Sequence, residues 1–497
     1  MRILYIDLDC LRPDHIGAYG YERETTPNID SVARNGVIFT HAYCSNSPCV
    51  PSRASLFSGR FGINNGIVTH HGSGSQFRPT SRPTLAEHLW HNGFKTISFS
   101  SFLDRHSAWW YACGWQELHT HTQKRGQETA DEVNEAFLPW LRRYAAEDNW
   151  FIHLHYWDCH SHYRLSEQWA NHEWSQPAPS WPDEEAIAKN LEFYGPRTAL
   201  DLWTRYGAWP GGEDKSSFPY MPDAVRTRAD FEKLINGYDN AIRYADYHVG
   251  QVLDLLADEK LLDDTAIIIS GDHGDSFGEH GQYMDHGIAN EAVHRIPMIV
   301  RWPGMAKGAQ CDAMIYGLDL GPTLCELLGL QTPERWDGRS FAPALRGEDF
   351  VGWPYQVWDH GIYTLTRAVR TRDWLLIHIL HPGCYPYDEP VLLHNMMRDP
   401  HQTVNLAHER PDIVAELNNH LTEWRHSQIA KGCASDPLEQ MVREGVFLYY
   451  TPEEMIDRLL RTGRGGVVSS FKERIERFHP GRFDEFDPRT ARSKVGH

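Results

Sequence analysis

The stretch Ser47 to Arg60, SPCVPSRASLFSGR, holds Cys49 and Arg53 four residues apart. The run before it, Val37 to Tyr43, predicts a strand; the run Ser52 to Gly59 predicts a helix closed by glycine. Pro51 suits a first helical turn, where its missing N–H leaves no bond unmade. Cys49 is thereby expected at a strand-to-helix turn, where free amide donors and the helix dipole favour negative charge. Arg53 falls one turn on, on the same face, and can pair with an anion held there. An isolated cysteine in this setting reads first as a buried thiol ahead of a capped helix. What lies around it decides.

Two acidic positions supply the context. Asp9 ends the apolar run Ile3–Leu8, and Asp272 follows the buried-type run Thr265–Ser270 within Gly271-Asp272-His273-Gly274-Asp275. Short apolar runs of this kind suit parallel strands covered on both faces. Open α/β sheets place ligands at the carboxyl ends of such strands, so Asp9 and Asp272 can converge there on one cation, with His273 completing the site. Oxygen-rich ligation suggests Ca²⁺ first, or Mg²⁺; a histidine ligand leaves Mn²⁺ and Zn²⁺ open. Asp7 shares a strand face with Asp9 but sits about 7 Å back along it, and is not assigned as a ligand.

The order Cys49-Val50-Pro51-Ser52-Arg53, with Leu56, Ser58 and Gly59 in register, resembles the signature of the type I sulfatases, in the alkaline-phosphatase-like superfamily. Leu11-Arg12-Pro13-Asp14-His15, Thr26-Pro27-Asn28, Gly271-Asp272-His273-Gly274 and Arg295-Ile296-Pro297 through Pro303-Gly304 resemble further stretches of that family. The resemblance implies that a formylglycine-generating enzyme oxidises Cys49 to formylglycine. One hydroxyl of its hydrate attacks sulfur, and residue 49 joins Asp9, Asp272 and His273 around one divalent cation. It further implies that Arg53 supports the charge on the sulfate, and that Arg105 holds sulfate oxygens. His160 or His286 would protonate the leaving alcohol, and His106 would take the proton of the second hydroxyl. The chain departs from the pattern in four places, one being Cys159, which stands before His160 where proline is usual. Cys10 stands where many sulfatases carry a second aspartate. Arg105 and His106 stand near the usual lysine and histidine, and Asp285 and His286 near another common lysine.

These residues need a scaffold, and 497 residues are enough for a large core and two domains. The resemblance implies an α/β fold with a central mixed, mostly parallel sheet flanked by helices, and a smaller C-terminal antiparallel sheet with a helix. We expect a catalytic domain over 1–350 and a C-terminal subdomain over 351–497, with an extension from about 428. Helices are predicted over Glu128–Glu147, Asp230–Lys260 (one or a pair) and Pro411–Trp424. Strands are predicted over Phe94–Phe99, Trp150–Trp157, Tyr355–Asp359, Ala368–Leu380 and Val391–Met396. Segment 161–228 has no clear period; it reads as a substrate-facing insertion with Trp169, Trp174, Trp203 and Trp209 as stacking platforms, or as an excursion whose tryptophans pack on the core.

Composition narrows the function. A formal net charge of −19 with no basic stripe argues against nucleic acid, and no apolar run is long enough for a membrane span. Nine scattered cysteines show no disulfide framework or paired zinc pattern. The sequence opens directly into a strand, so a cytoplasmic protein is expected, or a periplasmic or secreted one if a leader was removed. The expected activity is hydrolysis of a sulfate ester on a sugar or glycosaminoglycan-type oligosaccharide. The alternatives are a phosphodiesterase or phosphonate monoester hydrolase of the same fold, and a catalytically silent sugar-binding relative with unmodified Cys49 and no metal. Oligomeric state is not set by the sequence.

Overall fold

A computed structural model describes residues 1–120, 122–165, 167–203, 218, 220–433 and 435–484. An eight-stranded sheet forms its centre, from β1 (Arg2–Leu8), β2 (Val37–Phe39), β3 (Lys95–Phe99), β4 (Glu117–His119), β5 (Trp150–Tyr156), β6 (Thr265–Ser270), β7 (Met298–Arg301) and β8 (Ala309–Cys311). The order is β8-β2-β7-β6-β1-β5-β3-β4. Only β7 runs against its neighbours β2 and β6. β1, β5 and β6 are buried nearly throughout, as strands covered on both faces should be. Their carboxyl ends point the same way, because β1 pairs in parallel with both β5 and β6.

Helix α1 (Cys49–Ser58) is buried along its whole length. It ends at Gly59, whose φ of 63° is left-handed; a Cβ there would lie 2.6 Å from the Trp336 ring. On the other face of the sheet, α2 (Ala130–Tyr144) and α3 (Arg228–Asp258) carry apolar stripes into the core. α3 is one helix of 31 residues, opened by a capping box between Thr227 and Asp230, which satisfies otherwise orphan amide donors.

A second sheet comprises β9 (Gln356–Ile362), β10 (Thr364–Arg370), β11 (Trp374–His381) and β12 (Val391–Asn395), antiparallel throughout. Its far edge is a two-residue strand from the N-terminal half: Asn46 and Ser47 pair in parallel with Asp359 and His360. Ser47 Oγ lies 2.9 Å from His294 Nε2 and 2.8 Å from His360 Nδ1. The residue before the Pro48–Cys49 turn is therefore held by the second sheet while α1 packs on the first.

Several expectations need correction. Val37–Tyr43 is two short strands, broken at residues 40–41, and Ala368–Leu380 spans two strands joined by a turn at residues 371–373. Helix α4 (Pro411–Ala430) runs past Trp424. In segment 161–228, Trp169 packs on Tyr244 and Tyr247 of α3, and Trp174 donates to Asn240 Oδ1. Trp203 stacks on His162 at 4.8 Å and donates to Pro222 O. These three rings serve packing instead of standing free as platforms; Trp209 lies outside the described residues. None of the nine cysteines is in a disulfide, and no helix among the described residues is long and apolar enough to cross a membrane.

Candidate active site

The carboxyl edge of the central sheet brings four strand ends together. Asp9 follows β1, and its amide donates to Tyr156 O at the end of β5. Asp272 and His273 follow β6. His160 lies just beyond β5, and Arg105 and His106 follow β3. The ligand atoms of Asp9, Cys49, Asp272 and His273 all lie within 4.8 Å of one another, and all four residues are buried. Sequence separation hid this only partly, since strand-end positions on parallel neighbours meet by construction.

Arg53 sits behind the acids, fully buried. It donates from Nε to Asp7 Oδ2 at 2.9 Å, and from Nη1 to Asp9 Oδ2 at 3.0 Å and Asp272 Oδ2 at 2.6 Å. Its Nη2 donates to His155 Nε2 at 2.7 Å and lies 2.8 Å from Asp7 Oδ2. The guanidinium fork is thus spent on the carboxylates and one imidazole. Arg53 therefore fixes the acids that surround residue 49. Asp7, which the sequence did not mark as a ligand, and His155 complete this support. His155 Nδ1 is anchored by Ser100 Oγ at 2.8 Å.

Three buried carboxylates face this one guanidinium. Burial alone would raise Asp7 and Asp9, but Arg53 holds both below the ordinary carboxylate range. Asp272 is pushed up, by burial and by the facing Asp9, despite Arg53. Asp7 Oδ1 has no hydrogen-bond partner. The site is short of positive charge, and its donor set of two carboxylates and one imidazole fits a divalent cation. His273 is prepared for this: Nδ1 lies 2.9 Å from Gly274 O, a pure acceptor, so Nδ1 carries the proton and Nε2 keeps its lone pair. That Nε2 faces Cys49 Sγ at 3.2 Å. Burial, then Asp9 and Asp272, push the Cys49 thiol well above its ordinary range.

Cys10, at the position where the family often carries aspartate, does point inward. Its Sγ lies 3.1 Å from Asp9 Oδ1 and 3.9 Å from His273 Nδ1, and its amide donates to Asp272 Oδ1 at 3.1 Å. Its φ of 59° is left-handed, a conformation few side chains adopt.

The remaining sequence-selected residues form a second tier. His286 Nδ1 lies 2.8 Å from Asp275 Oδ1, and the His286 and His273 rings are 4.3 Å apart. Burial opposes its charge, but Asp285 and Asp275 raise it to about 9. His160 is the opposite case. Its Nδ1 donates to Ser161 O at 2.7 Å and its Nε2 accepts from Arg105 Nη2 at 3.2 Å. Burial, with Arg105 second, holds it well below the usual imidazole range. Arg105 also lies over the Trp157 ring at 5.0 Å. His106 is buried and held neutral, by burial and then by His70 and Arg105, and its Nε2 has no partner. His70, which stands in none of the motifs above, is buried, with its ring 4.8 Å from His106.

A mixed, mostly parallel sheet flanked by helices, with a C-terminal antiparallel sheet, is the alkaline-phosphatase-like fold. The family model for sulfatases matches residues 2–330, and that for the C-terminal part of N-sulphoglucosamine sulphohydrolase matches residues 278–427. The chain belongs to the sulfatase family, a family of sulfuric ester hydrolases. It is 26% identical to an ulvan-active sulfatase of Formosa agariphila over 67% of this chain, an alignment that spans 55% of that relative. It is 24% identical to a Δ4,5-hexuronate-2-O-sulfatase of Bacteroides thetaiotaomicron over 87% of this chain and 91% of the relative. The phosphonate monoester hydrolase of Agrobacterium radiobacter shares the fold, with a TM-score of 0.66 at 20% identity over 86% of this chain and 96% of that one.

Proposed function

We propose that this chain hydrolyses a sulfate ester carried by a sugar, with residue 49 as formylglycine and one divalent cation held by Asp9, Asp272, His273 and residue 49. The observation that carries the reading is the convergence of these four residues on the amino-terminal turn of α1, with Arg53 bridging Asp9 and Asp272. In this structure Cys49 Sγ stands in for the oxygen of the modified residue. The formylglycine hydrate supplies a hydroxyl nucleophile and a second hydroxyl for sulfate release; the cation supplies positive charge against the ester oxygens.

The chain's own residues supply the rest. Arg53 keeps Asp9 ionised inside the protein. The His273 tautomer, set by Gly274 O, aims a lone pair at the centre. Of the two imidazoles considered as proton donor to the leaving alcohol, His286 is the better supported, because Asp275 and Asp285 keep it protonated at neutral pH. His160, neutral with its proton on Nδ1, accepts from Arg105 at Nε2 and is a positioning partner for that guanidinium. Arg105 is the cation available to sulfate oxygens. His106, neutral with a free Nε2, is fitted to accept a proton.

The relatives named above, acting on ulvan and on a hexuronate sulfate, support a carbohydrate substrate. The test is a screen of sulfated mono- and disaccharides, with aryl sulfate, phosphonate monoester and phosphodiester arms, using protein co-expressed with a formylglycine-generating enzyme. Sulfate release from a sugar ester is expected. Faster turnover of the phosphonate or the phosphodiester would overturn the assignment.

A further inference from the structure

Residues 428–484 lie beyond both family matches, yet they are tied to the machinery of the site. Helix α5 (Pro437–Glu444) begins at Asp436, whose carboxylate accepts from Arg367 at 2.6 and 3.1 Å. The same guanidinium holds Asp359, the partner of Asn46 in the strand leading to Cys49. Leu438, Met441 and Val446 pack with Val68 and Leu365. Ser73 Oγ donates to Glu444 Oε2 at 2.6 Å, and a Cβ on Gly74 would lie 2.8 Å from Met441. The loop over residues 69–75, which follows the nucleophile helix, is therefore clamped beneath the extension.

The clamp ends at Tyr449. Its Oη lies 3.1 Å from His70 Nδ1, and its ring is 5.9 Å from His70, 5.4 Å from His71 and 6.4 Å from Tyr363. Tyr363 itself has a left-handed φ of 59°, held where a turn places it against this group. The His70 ring lies against His106. Three buried nitrogens here have no hydrogen-bond partner: His70 Nε2, His106 Nε2 and Trp157 Nε1. His70 and His106 are 7% and 9% exposed. One unpaired buried polar atom is a common defect; three on neighbouring rings beside Arg105 call for a hydrogen-bonding ligand.

We infer that the C-terminal extension completes the substrate site: Tyr449 fixes the His70 imidazole beside His106, so that the free nitrogens of His70 and Trp157 recognise hydroxyl groups of the sugar ring carrying the ester, while His106 Nε2 stays available to accept a proton. Tyr449 is a positioning residue that sets specificity. The extension makes the enzyme selective for hydroxylated rings over aryl esters, which have nothing to offer these atoms. A group built to hydrogen-bond a substrate rejects analogues that leave it unpaired. The inference rests on the sulfatase reading above.

The experiment compares wild type, Tyr449→Phe and His70→Ala, each as modified, cation-loaded enzyme, on 4-nitrophenyl sulfate and on mono-O-sulfated hexoses, hexosamines and hexuronates. Tyr449→Phe keeps the ring and its packing, and thermal melting checks that the variants fold. KM for the preferred sugar sulfate should rise about tenfold in Tyr449→Phe, the weight of one hydrogen bond, with kcat little changed. The loss of kcat/KM on 4-nitrophenyl sulfate should be several-fold smaller than the loss on the sugar sulfate. An equal loss on both esters, or none on the sugar, overturns the inference and leaves the sulfatase reading intact. Wild type that cleaves the aryl ester but no sugar sulfate also overturns it. Wild type that cleaves neither ester removes the sulfatase reading and the inference with it.

Discussion

Arg53 Nη1 donates to two carboxylates at once, Asp9 at 3.0 Å and Asp272 at 2.6 Å. One guanidinium thus joins the ends of β1 and β6 through the first turns of α1. Arg53→Ala would leave Asp7, Asp9 and Asp272 buried without it. Breaking a buried ionic network by removing one member costs about 3–5 kcal/mol. We expect a loss of that size in chemical denaturation, partly recovered by a saturating divalent cation, which replaces the missing charge. Wild-type stability in the variant would contradict this role for Arg53.

Cation binding should follow the donor set. His273→Ala removes the prepared Nε2 and should weaken binding in isothermal titration by at least about tenfold. Cys10→Asp should strengthen binding of Ca²⁺, since Cys10 Sγ already lies 3.1 Å from Asp9 Oδ1 and aspartate tolerates the left-handed backbone there. The same substitution should destabilise the cation-free protein, which gains a further buried carboxylate. Unchanged affinity in both variants would place the cation elsewhere.

The two imidazoles considered as acids separate by pH. With Asp275 and Asp285 beside it, His286 carries its proton up to pH about 9, against about 6.5 for free histidine. An activity that needs this proton is present below that pH and lost as pH rises through it. Asp275→Asn removes a negative charge that favours the protonated ring and leaves only a neutral acceptor for Nδ1, so the alkaline limb of kcat should move down by about one pH unit. A limb that stays in place would reassign the acid.

Much of the site was legible because its signals are local. Cys49, Pro51 and Arg53 fall within five residues, and Asp9, Asp272 and His273 mark the ends of apolar strand runs. The long-range support was not. Nothing around Asp7 or His155 announces that Arg53, from another element, would take them up. The pairing of Asn46–Ser47 with Asp359–His360 is two residues long, too short for any periodic signal, yet it joins the two sheets at Cys49. Tyr449 lies almost 400 residues from its partner His70 and in no motif. Trp169, Trp174 and Trp203 could be read either way from sequence, because an aromatic ring packs on a helix as readily as on a sugar; only the placement of Tyr244 and Tyr247 decides for Trp169.

The central claim is that residue 49 works as formylglycine. Burial, Asp9 and Asp272 disfavour the thiolate that a cysteine nucleophile would need. The most direct measurement pairs peptide mass spectrometry of residue 49 with sulfate release from the same preparations, made with and without a formylglycine-generating enzyme. Activity should scale with the aldehyde-bearing fraction of the peptide, and preparations holding only cysteine should fold and release almost no sulfate. Full activity in protein shown to contain only unmodified Cys49 would contradict the account.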